Sequence, residues 1–324
     1  MLLKIKHTPG KHCASTGMQN IVNFHNINFS EAMCFGIGAG LGIWYIEAPE
    51  PISLMIHVRS TDIEAQFFTK IGLPFKWEQF DDPYESEYAL CSSLDNGFPV
   101  IIQTDIYHLP YFNTKTHFPG HVITVWGYNK EKEIFYITDT DRKEVINVSF
   151  ENMRSARYNK NGFIALNGNM FQPTKIRFPA DLDQIILQSI KYNSKCITDT
   201  SYEFQGITAL EKWENEIYDW QKLKDFKWTA RFTYQILEKR GTGGSAFRLL
   251  YSRFLKEAIE FLPQIKINKL DAQMVNLAAE WKKLAMTLKK ASEADTPDIA
   301  CIKKQINTVK NFESQYHNTV LSTL

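Results

Sequence analysis

The sequence predicts an α+β half built on an antiparallel sheet, followed by an all-helical half. Three observations predict this. HVITVWGY (residues 121–128) and IFYIT (residues 134–138) are strand patterns joined by the polar turn Asn129-Lys130-Glu131-Lys132-Glu133, an antiparallel hairpin and the clearest β signal in the chain. Beyond about residue 170, apolar residues recur at three- and four-residue intervals over residues 209–223, 228–239, 246–261, 270–289 and 297–314. Between the two patterns lies the polar stretch Gly168 to Lys175, which contains Pro173, so the expected domains are residues 1–170 and 171–324.

The other elements follow in chain order. After Gly10-Lys11-His12, Met18, Ile21, Val22 and Phe24 carry a helix from Cys13 to about Asn26, with Cys13, Ser15 and Thr16 in its first turn. His12 is expected to cap this helix or face solvent. Ser30-Glu31 opens a second short helix. The run from Gly36 to Tyr45 leads into a strand. Its G-x-G-x-G-x-G spacing fits neither a dinucleotide fingerprint nor a P-loop, so close backbone packing around the first helix is expected instead. Residues 62–70 read as a helix with Ile63, Phe67 and Phe68 on one face. Residues 99–105 read as a buried strand after the turn Asp95-Asn96-Gly97. Gly241 to Gly244 reads as an interhelical turn, or else as a cradle of N–H groups for the phosphate of a phosphopantetheine arm. Thr296 and Pro297 are the expected cap and first position of the last helix.

Composition excludes several classes. The chain has 324 residues, 44% hydrophobic and 23% charged, with 22 Phe, 14 Tyr and 7 Trp, enough to build two cores. A net charge of +1 provides no field to draw nucleic acid or an anionic membrane, so neither is an expected partner. The longest apolar run, residues 33–46, is too short to span a bilayer, and residues 1–11 lack the pattern of a signal peptide. Five scattered cysteines, none in a C-x-x-C pair, argue against a disulfide framework and a zinc site, and fit a cytoplasmic protein. No cofactor and no metal are expected, and a homo-oligomer is compatible with the composition.

Three residues form the candidate catalytic set. Cys13 sits at a helix start, where unpaired N–H groups and the positive end of the dipole favour the thiolate. His121 opens a strong strand right after Pro119-Gly120, and Asp139 ends the next strand of the same hairpin, 18 residues later. A cysteine nucleophile needs an imidazole to take and return its proton, and an acid to orient the ring. Asp141, two residues on, is an alternative acid on the same side of a continued strand. Cys34 and Cys91 read as buried hydrophobes.

The blocks HCASTGMQN (12–20), SEAMCFGIGAGLGIWY (30–45), DIYHLPYFNTKTHFPGHVITVWGY (105–128) and ITDTD (137–141) resemble the N-terminal domain of the butirosin biosynthesis protein H family. GTGGSAFRLLYSRFLKEA (241–258) resembles the helical domain of unknown function that often follows it. The resemblance implies a papain-like, cysteine-protease-type domain whose Cys, His and Asp match Cys13, His121 and Asp139. It also implies acyl transfer from a carrier-protein thioester to an amine, in specialised-metabolite biosynthesis. More distantly, the chain is similar to peptidases that trim double-glycine leaders. Those carry a glutamine oxyanion donor shortly before the cysteine, where this sequence has Lys6 and His7. The Cys13 N–H then becomes the first oxyanion donor and Gln103 the candidate second.

Asp105, Tyr107 and Tyr111 lie in a matched block leading to His121. They either line the acceptor site, with Asp105 holding a substrate ammonium, or cap a strand and pack beneath the loop. The leading functional expectation is an acyltransferase taking its acyl group from a carrier protein or CoA thioester onto Cys13 and passing it to a small-molecule amine. The alternatives are a cysteine hydrolase (amidase or peptidase) with water as acceptor, and a non-catalytic binding protein on the same fold.

Overall fold

A computed structural model describes residues 1–48, 52–159 and 165–324. The first half runs α1 (Cys13–Phe24), α2 (Glu31–Ile37), β1 (Leu41–Glu47), β2 (Leu54–Arg59), α3 (Ile63–Lys70), α4 (Pro83–Asp95), β3 (Val100–Thr104), β4 (His121–Asn129), β5 (Ile134–Thr138), β6 (Ile146–Ser149), α5 (Phe150–Ala156), β7 (Tyr158–Asn159), β8 (Leu166–Asn167) and β9 (Met170–Phe171). The second runs α6 (Leu182–Thr198), α7 (Gly206–Glu216), α8 (Phe226–Glu238), α9 (Arg248–Ala258), α10 (Gln264–Ile267), α11 (Leu270–Glu293) and α12 (Ile299–Thr323). The chain is therefore α+β with antiparallel sheets and a helical C-terminal region. Among the described residues, no helix is long and apolar enough to cross a membrane.

Two compact units form. The first comprises Met1–Cys34 with Phe67–Pro179, the second Phe35–Gln66 with Ala180–Leu324. The segment 35–66, early in the chain, thus packs with the C-terminal helices. In the first unit, an antiparallel five-stranded sheet has the order β6-β5-β4-β3-β9. Its hairpin places Thr124 opposite Thr138 and Val125 opposite Ile137, while Thr104 pairs with His121 on the other side of β4. Val100, Ile102, Ile123, Val125, Phe135 and Ile137 bury a core with Leu90 and Leu94 of α4. Helix α1 packs on Ile101 and Val122 through Gly17, where a Cβ would stand 3.2 Å from Val122. Asn20 ties α1 to the hairpin by donating to the hydroxyls of Thr124 (3.0 Å) and Thr138 (3.3 Å).

In the second unit, β1 and β2 form a two-stranded sheet beside the helices. The glycine run is indeed a close-packing device, but its neighbours differ from the expected first helix. A Cβ at Gly36 would lie 2.1 Å from Phe254, and one at Gly42 would lie 2.3 Å from the Arg59 carbonyl oxygen. Helix α9 starts at Arg248 rather than Ala246, because Ser245, Ala246 and Phe247 all have positive φ (52°, 52° and 68°). The preceding glycine turn is closed internally: the Ser245 N–H donates to the Glu238 carboxylate (2.8 Å), which leaves that N–H unsuited to a phosphate. The last helix starts at Ile299, capped by Asp298 accepting from the Cys301 N–H (2.9 Å) instead of by Thr296.

Candidate active site

The start of α1 is held by a network anchored on one side chain. His12 is the N-cap, in extended conformation, and its imidazole accepts from the Ser15 N–H. Glu31, in the first turn of α2, receives the backbone N–H groups of Lys11 (2.8 Å) and His12 (2.7 Å) and the Ser15 hydroxyl (3.1 Å) on a single oxygen, Oε1. These are the two residues just before Cys13, so Glu31 sets where the cysteine backbone goes. Gly10 completes the fastening: its N–H donates to the Thr140 carbonyl (2.7 Å), and a Cβ there would collide with Thr16 Oγ1 at 2.1 Å and the Glu31 carboxyl at 2.8 Å. The turn before the cysteine is thereby joined to the residue after Asp139.

Glu31→Ala should slow alkylation of Cys13 by iodoacetamide severalfold, since the N–H groups of Lys11 and His12 would lose their shared acceptor. Glu31→Gln should keep most of the wild-type rate, since an amide oxygen can still accept. Equal rates in all three proteins, measured by peptide mapping over time, would show that Glu31 does not position Cys13.

His121 and Asp139 meet at one end of the hairpin, where His121 opens β4 and Asp139 follows the last residue of β5. His121 Nε2 lies 2.8 Å from Asp139 Oδ1, both residues being buried. Cys13 acts on the same imidazole and helps to raise its pKa. The carboxylate is held in turn: Tyr111 donates its hydroxyl to Oδ2 (2.8 Å) and Thr140 donates to Oδ1 (2.8 Å). Arg142 stacks over Tyr111 (4.8 Å) and donates to its carbonyl (3.2 Å), fixing that ring. Phe112 packs edge-on against His121. Asp141, the alternative acid, is exposed.

The electrostatics follow from this burial. Desolvation alone would lower the His121 pKa, but the Asp139 charge and hydrogen bond, with the contact to Cys13, outweigh it and raise the value to about 10. Burial likewise pushes Asp139 up, and His121, Tyr111 and Thr140 together bring it below its usual range. Tyr111 is raised well above the ordinary phenol range, by burial and then by the Asp139 charge, so its hydroxyl stays a donor.

The remaining candidates lie elsewhere in the first unit. Asp105 has no exposed surface. Its Oδ1 accepts from the N–H groups of Tyr107 (3.1 Å) and Phe118 (2.8 Å), and its Oδ2 meets His117 Nδ1 (2.6 Å) and Asn159 (2.6 Å). Tyr107 is partly exposed and stacks on His117, with ring centroids 4.1 Å apart. Gln103 is buried, and its Oε1 accepts from Asn169 (2.8 Å). His7 makes bonds with Asn20 Oδ1 (3.0 Å) and the Arg142 carbonyl (2.8 Å), so both its nitrogens are engaged. Sequence reasoning missed Glu31 and the bond from Tyr111 to Asp139. Glu31 stood in a matched block, but no spacing signals that it reaches back 19 residues to His12.

The α+β first unit, with its His121–Asp139 pair and Cys13 acting on the same imidazole, is followed by a helical C-terminal region. The chain belongs to the butirosin biosynthesis protein H family: residues 12–140 match its N-terminal domain, and residues 151–320 match the domain of unknown function DUF4872. No curated protein matches the chain. The DUF4872 match begins inside the first unit, so it includes β9, the strand that closes the sheet beside β3.

Proposed function

We propose that this chain is a cysteine-dependent acyltransferase on a papain-like domain. It takes an acyl group from a carrier-protein or CoA thioester onto Cys13 and delivers it to an amine in specialised-metabolite biosynthesis. The supporting observation is the buried His121–Asp139 pair, braced by Tyr111 and Thr140, with Cys13 acting on the same imidazole. The family match, whose named member is a butirosin biosynthesis protein, favours biosynthetic chemistry.

The steps follow from these roles. The Cys13 thiolate attacks the thioester carbonyl, and its developing oxyanion meets the N–H groups at the start of α1. The intermediate collapses with loss of the donor thiolate, which takes the proton carried by His121. Exchange of one thioester for another is nearly balanced in free energy, which suits a cysteine nucleophile. An amine then attacks the Cys13 thioester, His121 accepts its proton, and Cys13 leaves. Gln103 is the candidate second oxyanion donor: Asn169 engages its Oε1, which leaves the amide N–H₂ as the donating end. Asp105 shapes the acceptor side from within, by fixing the turn that carries Tyr107, rather than by touching the amine, because it is fully buried.

Protein mixed with simple acyl thioesters should gain the mass of the acyl group, and Cys13→Ala should not. Added amines should then discharge the adduct faster than buffer does, because a transferase site positions the amine, an effect worth several kcal/mol. Discharge at one rate whatever amine is present would mark a hydrolase. Peptide cleavage by Cys13 without any thioester adduct would overturn acyl transfer.

A further inference from the structure

The segment between β3 and β4 holds a cluster of which the proposed chemistry uses only Asp105, and that only to fix a turn. Asp105, His108 and His117 each offer one ligand atom, and these three atoms lie within 4.8 Å of one another. No other group of three or more such side chains meets that condition among the described residues. We propose that these residues form a binding site for a divalent transition-metal ion of the zinc class. This goes beyond the acyltransferase reading and does not depend on it.

The donor set selects the ion. Two imidazoles and one carboxylate suit Zn²⁺ and its neighbours, whereas Mg²⁺ and Ca²⁺ call for oxygen ligands throughout. Donor atoms around tetrahedral zinc stand about 3.3 Å apart, given bonds of about 2.0–2.1 Å. The ion would replace the proton shared by Asp105 Oδ2 and His117 Nδ1, whose 2.6 Å separation opens to that spacing, while the His108 nitrogen, within 4.8 Å of both, takes the third corner and water the fourth.

The surroundings have the features of a supported metal site. Asp105 is held rigidly, with its Oδ1 fixed by the Tyr107 and Phe118 N–H groups and its Oδ2 by Asn159. Outer bonds of this kind orient ligating carboxylates. Tyr107 stacks on His117 with rings 21° from parallel, and the rings of His108 and His117 meet edge to face with centroids 6.0 Å apart, so neither imidazole swings freely. His117 is 46% exposed, which gives an ion a route in while the carboxylate stays dry. The site also has a mechanical consequence. It ties the turn at residues 105–108 to His117, and the chain from there reaches His121 four residues later. An ion would therefore brace the segment that delivers the imidazole of the candidate triad.

The test uses the full chain carrying Cys13→Ser, which removes the thiol beside His121 as a competing zinc site, after treatment with a chelator. Calorimetric titration with ZnCl₂ should show one ion per chain, and MgCl₂ should give no saturable heat. His108→Ala and His117→Ala should each weaken zinc binding by more than about tenfold, with circular dichroism unchanged. CoCl₂ should produce a visible absorption band in the parent that both variants lose. The proposal fails if zinc shows no saturable binding, if both histidine variants bind it as tightly as the parent, or if magnesium competes on equal terms.

Discussion

Asp139→Asn should slow acylation of Cys13 by about 10²- to 10⁴-fold at neutral pH, the range in which a positioned acid–base group contributes. It should also change the shape of the pH profile. In the wild type, Asp139 holds the His121 pKa near 10 against a desolvation that works to lower it. With the carboxylate replaced by an amide, the largest raising influence is gone and desolvation pulls the pKa down, against only the contribution of Cys13. The imidazolium that supports the Cys13 thiolate is then depleted, and labelling should climb at higher pH, as the solution itself becomes basic enough to ionise the thiol. Rates of iodoacetamide labelling between pH 5 and 9 measure this directly. Parallel profiles for wild type and Asp139→Asn would overturn the orienting role of Asp139.

The same pair makes stability depend on pH, with a definite sign. His121 has a folded pKa above its unfolded value of 6.5, so its contribution is complete below about 6.5 and is lost as pH rises through about 10. Asp139 is shifted below its ordinary 3.8, so its contribution is present above that value and is lost as pH falls beneath it. The pair therefore stabilises the first unit across the neutral range.

Arg248→Met should destabilise the second unit by about 3–5 kcal/mol, the usual consequence of leaving one member of a buried ion pair without its partner. Arg248 and Glu313 are both fully buried, with Arg248 Nη2 2.7 Å and Nε 2.8 Å from Glu313 Oε1. The Trp281 indole N–H donates to the same oxygen (2.5 Å), and His317 Nε2 lies 3.0 Å from Oε2. Burial pushes the Glu313 carboxyl up, but Arg248 first, then His317 and Trp281, bring it below its usual range. His317 is itself lowered, mainly by desolvation, so it is neutral at pH 7 and Arg248 carries the balancing charge. Thermal melts should show the loss, at roughly 2–4 °C per kcal/mol for a unit of this size. The double variant Arg248→Met with Glu313→Leu should recover much of it, because no charge is then left buried. A double variant as unstable as the single would assign the cost to lost packing.

The two halves differ in how much of them was readable. The hairpin of β4 and β5, the helix behind Cys13 and the long helices α8 and α11 are local patterns. Each carries a period of two or 3.6 residues that burial on one face imposes. Helix α4 and the edge strands β6 and β9 were not named in advance. PYESEYALCSSLD has little amphipathic contrast, and β9 is two residues whose strand character comes only from pairing with Ile101 and Ile102 of β3.

By itself, the sequence determined the period of each strong element, the residue types needed for cysteine chemistry, and an order that puts His121 and Asp139 on adjacent strand ends. Only the tertiary structure decided which oxygen meets the imidazole, that the Tyr111 hydroxyl goes to Asp139, that Glu31 holds the turn before Cys13, and that residues 35–66 pack with the C-terminal helices. It also decided that Ser245, Ala246 and Phe247 form a left-handed turn where a regular helix start was expected, with Phe247 stacked on Phe35 (5.0 Å) and Arg248 donating to the Ala246 carbonyl. The physical reason is shared. Periodicity records which face of a segment is dry, whereas these features are matches between side chains and backbone groups far apart in the chain, fixed only when a packed interior leaves each buried polar atom few partners to choose from.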